Sequence, residues 1–306
     1  MFALNLLNKL IKKSRRLAKK TKLPFFQRFS TRLEEKKKRV IFSAIDALGV
    51  KPSVNEPAVA EPTRIVWICW LQGREHAPEL VKRCIASVEE NAVGAKVVVL
   101  TDETIPQYLT LPEHIVQKYQ QGRISKAPYS DIVRCSLLYQ YGGIWMDATM
   151  FLTRPIPESL FAREFSSLRF DLNKEDNALS QGFWTTYLLA SHKHNSLVKY
   201  VRDVLYAYWL QNNELIEYFL TDYSFRHALE HYAEFRTLLL EQPVIGNNRF
   251  LIRQFMNKKA DGNGWAALRD DAVGIYKLSH KETYQTEDNQ QPTLYAQILK
   301  GEFSLN

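Results

Sequence analysis

Cysteine is scarce in this chain, with three residues (Cys69, Cys84, Cys135) among 306. An odd number cannot pair fully within one chain, and none forms a C-x-x-C, so buried free thiols are favoured over a redox or metal role. Each lies among apolar neighbours and reads as a buried free thiol, which suits a reducing compartment. Long apolar runs are missing too: none approaches the roughly 18–20 residues that cross a bilayer. The apolar residues Phe2 to Leu7 precede the basic ones, the reverse of a secretory signal. The expected location is cytoplasmic. There is no G-x-S-x-G element and no Cys/His pairing, which leaves nucleophilic hydrolase chemistry without support. No internal repeat is present.

Positive charge is plentiful and unevenly placed. Residues 1–40 hold fourteen Lys and Arg against Glu34 and Glu35, a net +12, so the rest of the chain carries −4 of the total +8. Residues 4–23 put Leu4, Leu7, Leu10, Ile11 and Leu17 on one helical stripe, and Phe25, Phe26 and Phe29 follow Pro24. Such an arm can rest its apolar side on lipid while its cations meet anionic headgroups. A solvated tail and a nucleic-acid-binding tail are the alternatives. Membrane is favoured and no nucleic acid is expected, which places the protein peripherally at the inner face of the cell membrane. A second basic helix is expected over Thr31–Leu48. Val50 to Thr63, with Pro52, Pro57 and Pro62, reads as a linker. The division is an arm over 1–49, a linker over 50–63 and a body over 64–306.

The body opens as strand–helix–strand: Arg64 to Leu71, a helix over Pro78 to Asn91, and Lys96 to Leu100. That order predicts an α/β fold, a Rossmann-type mixed sheet flanked by helices. Ligands on such sheets meet the carboxyl ends of strands, here near Gly73 and Thr101-Asp102. Helices are expected over Leu197–Leu210 and Glu214–Leu239, followed by a loop-rich tail from Asp261 with one apolar run, Val273 to Leu278.

The segment Ser130 to Thr149 carries the chemistry. A helix is expected to begin near Ser130 and end at Gly142-Gly143, with Asp131 and Arg134 on one face of its first turn. Ile144 to Leu152 reads as a strand with Trp145, Asp147 and Thr149 on one side and Met146 and Ala148 on the other. Asp147 is then a carboxylate in an apolar strand, costly unless paired or bound to a cation. A plain ion pair with Arg134, or capping of a nearby helix, would also account for it.

The order S-D-x-x-R, a Leu/Tyr-rich helix, Y-G-G, an aromatic residue and D-A-T resembles the capsular polysaccharide synthesis glycosyltransferases, relatives of retaining transferases with a DxD sugar motif and a GT-A fold. Trp67-Ile-Cys-Trp-Leu-Gln-Gly73, Leu100-Thr-Asp102 and Tyr276-Lys-Leu-Ser279 extend the resemblance over about residues 64–300. It implies a nucleotide-sugar donor, a UDP-sugar in the leading reading, and a glycan or lipid-linked glycan acceptor. Donor contacts would come from Trp67, Cys69, Trp70, Gln72, Gly73, Thr101, Asp102, Ser130, Met146 and Ala148. Asp131 and Arg134 would read the sugar or diphosphate. Asp147 and Thr149 would hold Mn²⁺ or Mg²⁺ with His280 as a further ligand, since Thr149 stands where the motif has a second carboxylate. Gln181, Trp184 and Asp222 are candidates for the acceptor side, although packing alone also explains Trp184. A non-catalytic membrane- or nucleic-acid-binding protein on a degenerate transferase body is the competing reading.

Overall fold

The computed structural model describes residues 2–52, 62–172, 179–259 and 265–305. Most of the anticipated linker, residues 173–178, Gly262 and Gly264 lie outside the described residues.

Two helices form the arm, α1 (Phe2–Thr21) and α2 (Pro24–Asp46). The second starts seven residues earlier than expected, because a proline in the first helical position sacrifices no intrahelical hydrogen bond. The pair folds back as a hairpin through Lys22, whose φ is 54°. Leu4, Leu7 and Ile11 are buried, and Arg15 pairs with Glu34 at 2.8 Å. Much of the apolar stripe that suggested lipid is therefore covered by protein.

The body contains β1 (Ile65–Cys69), α3 (Glu79–Asn91), β2 (Lys96–Leu100), α4 (Ile105–Tyr108), α5 (Glu113–Gln120), α6 (Lys126–Tyr141) and β3 (Gly143–Asp147). Then come β4 (Met150–Leu152), α7 (Ser159–Ala162), β5 (Phe165–Ser167), β6 (Leu188–Ser191), α8 (Ser196–Gln211), α9 (Leu220–His231) and α10 (Ala233–Leu240). The chain closes with α11 (Ala266–Arg269), β7 (Ile275–Lys277), a short hairpin of β8 (Glu287–Asp288) and β9 (Gln291–Pro292), and α12 (Leu294–Lys300). The central sheet has the order β2-β1-β3-β6-β5: β1 runs parallel to β2 and β3, and β6 runs antiparallel to β3 and β5. This is the mixed α/β sheet that the strand–helix–strand opening predicts.

Alternation along the strands builds two cores. Val66, Ile68, Ile144 and Met146 face Val81, Ile85 and Val88 of α3, while Trp67 and Trp145 face α6 and the later helices. Three local expectations change. The helix at the motif starts at Lys126, so Asp131 and Arg134 lie beyond its first turn. The strand over 144–152 is two: β3 ends at Asp147, Ala148 and Thr149 turn, and β4 pairs with β7 in a separate sheet. The long aromatic helix divides at Tyr232, whose backbone is extended between α9 and α10.

The two glycines between α6 and β3 have a steric purpose. Gly142 and Gly143 sit at φ 72° and 95°, and a Cβ on Gly143 would lie 2.5 Å from the Ile65 carbonyl oxygen. Only glycine allows β3 to lie this close beside β1 in that backbone conformation.

Candidate active site

Register fixes the location. Cys69, the last residue of β1, is aligned with Leu100 of β2 and with Asp147 of β3, so three parallel strands end at one level. The loops beyond them are tied together, since Trp70 N–H donates to Leu100 O (2.9 Å) and Asp102 N–H donates to Leu71 O (3.1 Å).

Arg134 is the centre of the charged network. It is buried on α6, and its guanidinium lies 4.9 Å from the Trp145 ring centre. It donates to Asp131 Oδ1 and, from Nη2, to Asp147 Oδ1 at 3.2 Å. Asp131 Oδ2 accepts from Thr221 Oγ1 at the start of α9 (2.9 Å). Asp147 also accepts from Trp145 Nε1 (3.1 Å) and from Lys277 Nζ (3.0 Å). Lys277 Nζ donates to Thr149 Oγ1 as well, at 2.5 Å. Four distant stretches of chain thus meet in one hydrogen-bonded chain of charges.

The electrostatics separate the three acids. Burial works to raise the pKa of Asp147, but the ammonium of Lys277 and the guanidinium of Arg134 outweigh it and bring the group down to about 2. Asp131 is raised by burial, an effect that Arg134 and Thr221 offset only in part. Asp222 accepts from Trp184 Nε1 at 2.9 Å and is pushed up to about 6 by burial, with the charge of Asp131 adding to it. Asp147 stays ionised, whereas Asp222 exchanges its proton near neutral pH.

The anticipated residues divide accordingly. Asp131, Arg134, Asp147 and Thr149 come together, and Asp222 joins them electrostatically through Asp131 and Arg134. Cys69 faces the same space: burial pushes its thiol up to about 12, and Ser130 hydrogen bonds to it. Trp67, Met146 and Ala148 are core residues, and the Trp67 indole N–H is spent on the Gly142 carbonyl (2.9 Å). Trp184 is buried and reaches the network only through its N–H. Gln72 and Gln181 are exposed, with Gln181 at φ 50°. Thr101 is engaged with Thr104 in a local turn.

A divalent cation would find one carboxylate and one hydroxyl here, Asp147 and Thr149, and both are already bonded to an ammonium. Hard cations of this kind take about six oxygen ligands. Among the described residues no cluster of three or more His, Cys, Asp or Glu forms that could hold a metal. The exposed His280 packs edge-on to Trp70, ring centres 5.4 Å apart. The donor set does not fit a resident metal ion.

Several contributors escaped the sequence reading. Lys277 and Thr221 are the main ones. Tyr119 stacks on Tyr129 with ring centres 3.7 Å apart and donates to Asp102 Oδ1 (2.7 Å), forming an aromatic wall beside the strand ends. Lys277 carried the same signal as Asp147, a single charge in an apolar strand.

Known proteins bear on this arrangement. The solved PaToxG glycosyltransferase shares 13% identity with this chain, covering 69% of it and 90% of that protein at a TM-score of 0.39, too loose a likeness to build on. The glycosyltransferase afumC of Aspergillus fumigatus is 24% identical over 173 residues, which is 50% of this chain and 42% of that protein. The family described as capsular polysaccharide synthesis protein matches residues 17–298, which carries the likeness through α2 and into α1, well beyond the body alone. This chain belongs to the capsular polysaccharide synthesis protein family.

Proposed function

We propose that the chain is a retaining glycosyltransferase of the GT-A type, moving a sugar from a UDP-sugar to a glycan or lipid-linked glycan in bacterial surface polysaccharide synthesis. The observation that carries this reading is the convergence of Asp131, Arg134 and Asp147 at the carboxyl ends of β1, β2 and β3. Family membership and the name of the fungal relative support it. In the reaction the bond between the anomeric carbon and the diphosphate oxygen breaks, and its electron pair stays on that oxygen. The acceptor oxygen bonds to the anomeric carbon on the face from which the diphosphate departs, as retention requires, and its proton passes to a base, for which Asp222, poised at about 6, is the candidate. Cationic groups at the strand ends stabilise the departing diphosphate.

A screen of UDP-, GDP- and dTDP-sugars for donor hydrolysis tests this reading. Release of UDP from at least one sugar is the expected result, and product anomer analysis by NMR then tests retention. Turnover of none of them, with no nucleotide bound, would favour the non-catalytic alternative.

The acceptor side of the proposal involves the arm. Among the described residues no helix is long and apolar enough to cross a membrane. The hairpin tip nevertheless presents Leu23, Phe25 and Phe29 to solvent beside Lys19, Lys20, Lys22 and Arg28. The Phe25 and Phe29 rings stack at 6.3 Å. Apolar rings flanked by cations suit the headgroup region of an anionic bilayer, at about 1 kcal/mol per cation near the surface. Full-length protein is expected to pellet with phosphatidylglycerol vesicles and to release in high salt. Phe25→Ser with Phe29→Ser should reduce pelleting several-fold, and unchanged pelleting would remove the tip from the interaction.

A further inference from the structure

Lys277 is a built-in residue rather than a surface lysine that has wandered inward. It ends β7, where Met150 of β4 is its register partner, and its backbone N–H donates to Arg249 O at 2.7 Å. The next residue, Leu278, donates to Thr149 O at 2.9 Å, which anchors the turn carrying Thr149 to the same strand. Its Nζ lies 5.4 Å from the centre of the Tyr187 ring. Within Val273 to Leu278 it is the single charge.

Its ammonium has three N–H donors. One is used by Asp147 and one by Thr149, the two residues that a cation at this motif would need. Among the described residues the third has no protein acceptor. Arg134 shows a related feature: its Nε is buried without an acceptor. Two fixed cations thus stand at the ends of the parallel strands, each with an N–H that has no protein acceptor among the described residues, and the one on Lys277 is the less deeply buried.

We propose that Lys277 supplies the positive charge that neutralises the donor diphosphate, so that nucleotide binding and sugar release proceed without a divalent cation. The proposal rests on the transferase reading and deepens it. When the anomeric C–O bond breaks, the electron pair remains on the diphosphate oxygen. The free N–H of Lys277 then bonds to that diphosphate, and no proton has to be transferred from the lysine. Asp147 and Thr149 are positioning groups, fixing the ammonium so that its remaining donor points at the ligand. A fixed ammonium stabilises developing charge by the same electrostatics as a metal, with no dissociation step of its own.

The test is isothermal titration of full-length protein with UDP, GDP and ADP in turn, first in EDTA and then with Mn²⁺. Wild-type protein is expected to bind at least one of them with the same affinity in both buffers. Lys277→Met should weaken binding in EDTA by roughly tenfold to hundredfold, the loss expected for one charge-assisted hydrogen bond. Lys277→Arg, which keeps the charge, should recover a large part of it. Melting curves of each variant separate a folding defect from a binding defect. Wild-type binding that requires Mn²⁺ would overturn the role given to Lys277 and leave the transferase reading standing. Binding in neither buffer would remove both. Equal binding by wild type and a folded Lys277→Met protein would overturn the lysine alone.

Discussion

Asp147→Asn is expected to lower donor turnover by about 10²–10³-fold, the scale on which loss of one preorganised electrostatic contact acts. Three donors converge on this carboxylate, from Arg134, Trp145 and Lys277. An amide can accept from some of them but carries no charge to hold the lysine. The folded protein should weaken as well, by about 1–3 kcal/mol, below the usual cost of breaking a buried pair because the side chain is 30% exposed. The pH dependence has a definite sign. The folded carboxyl sits at about 2 against an ordinary 3.8. Its stabilising contribution is therefore present above 3.8 and lost as pH falls through about 2. Melting temperatures of wild type and variant should keep a constant gap above about pH 5 and converge as pH drops from about 5 toward about 2. A gap that stays constant through the acid limb as well would contradict the ion-pair account.

Arg134→Met should have the larger effect on stability, about 3–5 kcal/mol, because it leaves Asp131 and Asp147 together without their shared cation. For a body of this size that corresponds to a melting point lower by about 10 °C. Donor turnover should disappear with it. Arg134→Lys should rescue little, since a point-charge ammonium cannot bridge two carboxylates as a planar fork does. Adding Asp131→Asn to Arg134→Met should recover part of the stability, giving less than the sum of the two single losses. Strict additivity in that double-mutant cycle would show that the two side chains act independently.

Much of this arrangement was legible in the chain itself. Alternation around Asp147 correctly put Trp145 on one side and Met146 and Ala148 on the other, and the strand–helix–strand opening gave the parallel part of the sheet. Lys277 was missed although the reasoning that singled out Asp147 applies to it equally. Its partner is 130 residues away, and a tail rich in glycine hid a three-residue strand. The extended 144–152 segment could not show its own division, because β4 is defined by pairing with β7. Trp67 misled for a related reason: a tryptophan in a strand reports an apolar face, while the carbonyl that takes its N–H lies 75 residues on. The arm's periodicity located the stripe correctly but could not say that protein covers much of it.

The contact between arm and body matters for how this protein can be handled. Helix α2 lies against α9 and the segment just before it, with Lys37 bonded to Glu217 (2.7 Å), Lys38 to Glu230 (3.0 Å) and Asp46 to His227 (3.0 Å), and with Ile41 and Ile45 buried. That same α9 carries Thr221 and Asp222 into the charged network. The basic hairpin is thus a strut whose far end braces part of the charged network. Trimming it for solubility would strip a supporting layer from the site, so the proposed lipid contact is better probed by point changes at the tip. A strut gripped by a membrane would also hold the mouth of the site at a set height and tilt above the bilayer.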